Sequence, residues 1–225
     1  MFFLVQRHPI SRSNRLDAPA DYWHFLRGPA SLAAPELLGC RLLVRRSSSG
    51  GAAEAVITEV EAYGANDPAS HSFKGLTARN RHMFLNGGHA YIYLCYGLHL
   101  CLNVVTGAAG AGEAVLIRAV LPANQASLKF MRQNRLTALA DRPGGLTDYH
   151  LLSGGPAKLT QALGIVKDDS GLDLLNGASP LRLLPRLKHL SGLPVSNTSR
   201  VGISRARHEL LRWHYQATNV IDRLK

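Results

Sequence analysis

From Ala90 to Val105 the chain reads AYIYLCYGLHLCLNVV, and few folds accommodate that run. Two apolar stretches rich in aromatic and branched residues are split at Gly97, which predicts two antiparallel strands turning near Tyr96-Gly97. On the first, Tyr91, Tyr93 and Cys95 share a face; on the second, His99, Cys101 and Asn103 do. Tyrosines in strands ordinarily pack on the sheet. Tyr96 at the turn tip has no neighbour placed to bury it, so it points to function.

The same reasoning extends to both sides of this hairpin. LLVRR at Leu42–Arg46 and the run from Glu54 to Tyr63 predict a second pair of strands joined by the turn cluster SSSGG at Ser47–Gly51. Alternation places Glu59, Glu61 and Tyr63 on one face, with Val56, Val60 and Ala62 on the other. After a Gly-Ala-rich turn at Gly107–Gly112, AVLIRAVL predicts a strand ending before Pro122. Arg118 interrupts that apolar run, and a buried guanidinium needs a partner. Between the strand pairs, Gly64–His82 is a long loop carrying His71, Lys74, Arg79 and Arg81, and long loops in compact domains are commonly functional.

Elsewhere the pattern is that of a scaffold. A short helix is expected with Pro35 in its first turn and its end near Gly39. A longer helix is expected from Asn124 to Leu139, a loop over Asp141–Tyr149, and a short helix from Pro156 to about Leu163. Its exposed N–H groups beside Lys158 suit either a phosphate or a simple cap. Short strands rich in arginine follow from Leu181. Residues 1–27 lack periodicity and are expected to form a basic, poorly ordered extension rather than an organelle transit peptide, leaving 28–225 as one domain.

Charge narrows the partner. Lysine and arginine number 26 against 15 acids, a net +11, which favours a polyanion such as nucleic acid. No run approaches the roughly 18–20 apolar residues of a membrane helix. Three cysteines with no CxxC pair support neither a zinc ribbon nor a disulfide scaffold and suit a reducing, intracellular setting.

Taken together, TEVEAYGANDPASHS, TARNRHMF, YIYLCYG, CLN and LIRA, followed by SGGPAKLTQALGI and RVGIS, resemble the 3-methyladenine (alkyladenine) DNA glycosylase family from about Leu32 to Ile203. The resemblance implies one α+β domain with a curved, open-barrel-like antiparallel sheet, flanking helices and a protruding hairpin. It also implies a monofunctional DNA glycosylase of base excision repair, an intracellular monomer without metal or cofactor. Its partner would be double-stranded DNA containing alkylated or deaminated purines. By position, Glu61 matches the catalytic acid, Arg118 the arginine that helps hold the attacking water, and Val201 the carbonyl that completes the water's shell. Tyr63, His71, Tyr93 and Asn103 match the base pocket, and Tyr96 the residue that wedges into DNA. Arg79, Arg81, Lys158 and Arg200 are expected on the DNA backbone. The chain departs from the family pattern at Leu121, where an acid is usual, at His99, where a larger aromatic is common, and in LRWHYQ near the C-terminus.

Three alternatives compete. Glu59, Glu61, Asp67 and His71 could hold magnesium in a nuclease. Lys74 could form a Schiff base in a glycosylase-lyase. A basic module with stacking tyrosines could bind nucleic acid without catalysis.

Overall fold

The computed structural model describes residues 19, 21–46, 51–139 and 148–224. Most of the expected basic extension, most of the SSSGG turn and most of the loop after Leu139 lie outside the described residues.

Branched side chains and a mutual lack of breakers make the central strands. β1 (Arg41–Arg46) and β2 (Gly51–Tyr63) form the first antiparallel pair, and β3 (Ala90–Cys95) and β4 (His99–Thr106) the second. β5 (Glu113–Pro122) lies between β2 and β4. β6 (Leu181–Leu184) extends the other edge, giving the order β3-β4-β5-β2-β1-β6. β7 (Val195–Thr198) and β8 (Arg212–Tyr215) pair with each other, and β8 adds to the C-terminal half of β2 at Glu59–Glu61. Thus β2 leaves β1 and takes up β8 midway. Register shifts on either side of Glu59, which pairs with Ala119 while Arg118 is skipped, mark that change; such irregularities raise local twist and re-aim side chains.

The helices are α1 (Ala30–Leu37), α2 (Gln125–Leu139), α3 (Tyr149–Ser153), α4 (Pro156–Ala162) and α5 (Ala217–Leu224). Leu37, Met131 and Leu159 from the first, second and fourth join Val60, Ala62, Leu102, Val104, Val115 and Ile117 in one buried core. This is a single α+β domain whose curled antiparallel sheet is covered by helices on its apolar face. No helix among the described residues is long and apolar enough to cross a membrane.

Four expectations about elements change. Pro35 lies inside α1 rather than at its start, because the helix already begins at Ala30. The carbonyl that would accept a bond from residue 35 is that of the exposed Ser31, so the missing N–H is tolerated. Tyr149 starts α3 rather than ending a loop; Asp148 caps it by accepting from the N–H groups of His150 and Leu151. Tyr22–Arg27, expected to be extended, forms a 3-10 helix that buries Leu26. Leu26 O accepts from Gly107 N at 2.9 Å, and Gly87 N donates to Gly107 O at 2.9 Å. A Cβ on Gly87 would stand 2.0 Å from Leu26 O, so only glycine admits this approach. Finally, α5 was not anticipated.

Candidate active site

Strand pairing builds the site by rows. Glu61 on β2 pairs with Leu116 on β5, Leu116 with Asn103 on β4, and Asn103 with Tyr91 on β3. These four side chains therefore stand in line across one face of the sheet. Tyr63 occupies the next position along β2, and Tyr93 pairs with Cys101 on the other side. That face is the floor of a cavity of about 510 Å³. Its walls come from the loop carrying His71, from Met83, from Pro156 at the start of α4, and from residues 201–205.

Aromatic rings dominate the recess. His71 meets Tyr93 edge-on at 4.3 Å between centroids, and its Nδ1 lies 2.9 Å from the Tyr91 hydroxyl. Partial enclosure of a residue that still meets solvent, with Arg79 nearby, lowers the His71 pKa below its ordinary value and favours the neutral ring. Burial pushes the Tyr91 hydroxyl up to about 12 and the Cys101 thiol up to about 11, so both stay protonated near neutral pH. The Asn103 side chain is fixed by donating from Nδ2 to Tyr91 O at 2.9 Å.

Glu61 has no exposed surface and does not line the cavity; Tyr63, Arg118 and Val201, which do, stand over it. Three donors reach its carboxylate. Tyr63 Oη donates to Oε2 at 2.9 Å, Arg118 Nη1 to Oε2 at 3.3 Å, and Val201 N to Oε1 at 2.7 Å. Arg118 Nε also donates to Glu59 Oε1 at 2.9 Å, and Arg212 Nη1 lies 3.4 Å from the same oxygen. Burial alone would pull the Arg118 pKa down, but Glu61 and Glu59 outweigh it and hold the guanidinium above its ordinary value. Burial, then Glu61, pushes the Tyr63 hydroxyl up, so it remains a donor.

Tyr96 stands at the hairpin tip with 87% of its surface exposed and also borders the cavity. Its φ of 50° and that of Gly97, 71°, are left-handed, and Leu98 N donates to Cys95 O at 3.1 Å. Both central residues thus adopt the type I′ pattern, which favours Asn-Gly over a bulky first residue. Arg79 and Arg81 are exposed, and Arg79 Nη2 donates to Leu94 O at 3.2 Å close to the hairpin's tip. Lys158 donates to His150 O at 3.1 Å beside the cavity's Pro156 wall.

Arg200 corrects its expected place. Instead of facing a DNA backbone, its side chain is fully enclosed, paired through both terminal nitrogens with Asp67. The magnesium reading also loses its geometry: Asp67 is taken by Arg200, while Glu59 and Glu61 are taken by Arg118. Among the described residues no group of three or more His, Cys, Asp or Glu could hold a metal, and no lysine lines the cavity. Sequence reasoning offered Asp67 only as a magnesium ligand in the nuclease alternative, and gave residues 202–205 no site role although RVGIS was part of the resemblance. Tyr91 and Cys101 were visible by parity but were read as packing.

The site is therefore an aromatic recess with the exposed Tyr96 at its rim and the Glu61 carboxylate shielded from bulk water beside it. A family model described as methylpurine-DNA glycosylase matches residues 24–219. A protein of Methanoculleus marisnigri is 44% identical over 190 residues, 84% of this chain and 92% of its own length. Proteins of Rhodopseudomonas palustris and Nitrosospira multiformis are 44% and 43% identical over 182 and 174 residues. These cover 81% and 77% of this chain, and 79% of each relative. All three are named, provisionally, as 3-methyladenine DNA glycosylases. The chain belongs to the methylpurine-DNA glycosylase family, hydrolases of N-glycosyl bonds that serve base excision repair.

Proposed function

We propose that this chain, acting as a monomer, flips alkylated or deaminated purines out of double-stranded DNA and hydrolyses their N-glycosidic bond. The substrates in this reading are 3-methyladenine, 7-methylguanine, hypoxanthine and ethenoadenine. The observation that carries it is the enclosed Glu61 carboxylate, held by Tyr63, Arg118 and Val201 at the edge of an aromatic recess.

A base inside the duplex hides its sugar, so extrusion comes first and costs a few kcal/mol. Tyr96 fills the vacated place in the stack, and Arg79, Arg81 and Lys158 meet the backbone phosphates. The purine enters against Tyr63 and Tyr93, each ring contact contributing roughly 1–3 kcal/mol. Asn103, fixed against β3, crowds the exocyclic amino group of normal guanine.

Cleavage passes through an oxocarbenium-like sugar, which a nearby anion stabilises; cationic 3-methyladenine and 7-methylguanine take the bonding electron pair and leave neutral, whereas neutral hypoxanthine and ethenoadenine must gain a proton to leave. Of the about four lone-pair sites of a carboxylate, three accept from Tyr63, Arg118 and Val201. The remaining site lies on Oε1, beside the Val201 main chain. A water bound there, with the Val201 carbonyl as second partner, is oriented and deprotonated by Glu61 as it attacks C1′. Reaching it requires the Tyr63–Val201 cover to part when the nucleotide enters. An abasic site remains in an uncut backbone, and among the described residues no lysine lines the cavity to form a Schiff base.

Mass spectrometry of bases released from a panel of damaged duplexes tests the proposal. Free modified purines, with intact backbones until alkali is added, are expected. Nicked strands without free base, borohydride-trapped adducts, or binding without release would each overturn it.

A further inference from the structure

Asp67 and Arg200 are the least expected pair in the molecule. Arg200 Nη2 donates to Asp67 Oδ1 at 3.1 Å while Nη1 bonds Oδ2 and donates to Ala62 O at 3.0 Å. Its Cζ lies 4.7 Å from the centroid of the Tyr63 ring. Neither residue lines the cavity, whereas Tyr63 does. One guanidinium therefore touches the backbone between Glu61 and Tyr63, backs the Tyr63 ring, and immediately precedes the Val201 N–H that holds Glu61. Asp67 in turn accepts from Ala69 N at 2.9 Å and from Ser70 N, through its own carbonyl, at 2.8 Å. Those bonds shape the turn that presents His71.

We infer that the Asp67–Arg200 pair is a positioning element for the reaction: it locks β2, the His71 loop and the 201–205 segment to one another. The inference rests on the proposed glycosylase chemistry and deepens it. Stability alone is a poor explanation, since buried ion pairs seldom repay their desolvation, and Arg200 Nε has no hydrogen-bond partner among the described residues. Enclosure argues against a phosphate contact, as the side chain has no exposed surface. Lysine cannot reproduce the arrangement: a point charge cannot make the two-nitrogen bond to Asp67, reach Ala62 O and lie flat over Tyr63 together.

Arg200→Lys and Asp67→Asn test this. Single-turnover excision and the dissociation constant for lesion duplex are measured at two salt concentrations, with rates normalised to the protein that binds an abasic-analogue duplex. A displacement of order 1 Å costs up to about 10²-fold in rate, so excision should fall roughly 10- to 100-fold. Affinity should change by less than about threefold with an unaltered salt slope. Unchanged rates per binding-competent molecule in both variants, whatever their melting temperatures, would overturn the positioning role. A weaker affinity with a shallower salt slope would instead make Arg200 a phosphate ligand and equally overturn it. Wild-type protein that releases no base from the same duplex would sink the glycosylase reading and this inference together. Active wild type with equally active variants would sink only the latter.

Discussion

Replacing Tyr96 by Asn should make the protein more stable and a poorer enzyme. The tyrosine sits at φ 50° in the first central position of a left-handed turn followed by Gly97. A left-handed conformation costs an ordinary residue about 1–2 kcal/mol, which Asn largely avoids. With 87% of Tyr96 exposed, little packing is lost in exchange. A gain of about 1 kcal/mol corresponds to a rise of roughly 2–4 °C in Tm for a chain of this size. On DNA the sign reverses. Loss of a ring that stacks in the gap forfeits roughly 1–3 kcal/mol, or about 5- to 150-fold in excision from duplex. A single-stranded substrate has no gap to fill and should be far less affected. Circular dichroism melts and single-turnover excision on the two substrates measure both effects. A lowered Tm would show that the ring supports the hairpin; undiminished duplex excision would show that it does not act as a wedge.

Gly87→Ala places a Cβ 2.0 Å from Leu26 O, so the Tyr22–Arg27 helix must lift off. Losing the burial of Leu26, about 1.5–3 kcal/mol, and one hydrogen bond of about 1 kcal/mol should lower Tm visibly in a thermal melt. An unchanged Tm would mean that this segment is not docked. His71 gives a pH test. Its folded pKa lies below the ordinary 6.5, so between those two values the unfolded chain binds more protons. Stability is then complete above about pH 7 and is lost as pH falls through 6.5 towards the lowered value. Tm measured against pH should flatten over that window in His71→Gln; an identical slope would remove His71 from the cause. Arg118→Ala leaves Glu61 buried without its cation, a loss of about 3–5 kcal/mol. A calorimetric change below about 1 kcal/mol would show that the pair is not coupled as the distances imply.

What the sequence disclosed was local. Period-two alternation in AYIYLCY and LHLCLNVV yielded the β3–β4 hairpin and set Tyr91 and Tyr93 on one face, because pleating is a neighbour-to-neighbour property. Arg118 stood out as a charge in an apolar run, and its demand for an acid is met by Glu59 and Glu61. Pro35 misled because Pro-Glu resembles a helix start, while the alanine-rich stretch Ala30–Ala34 before it already belonged to the helix. Arg200 was read as surface charge because its partner, Asp67, lies 133 residues away; composition carries no trace of such a contact. The enclosure of Glu61 was equally hidden, since it depends on Val201 arriving from the far end of the chain. Family resemblance named both Glu61 and Val201 without showing that a backbone N–H joins them.

Glu61→Gln, tested for lesion-duplex binding and single-turnover excision in the same preparation, reaches the centre of the account. Gln keeps the size of the side chain but removes the charge that three donors enclose. Binding is predicted to stay within about threefold while excision falls roughly 10²–10⁴-fold. Excision within about tenfold of wild type would show that this carboxylate does not activate the water.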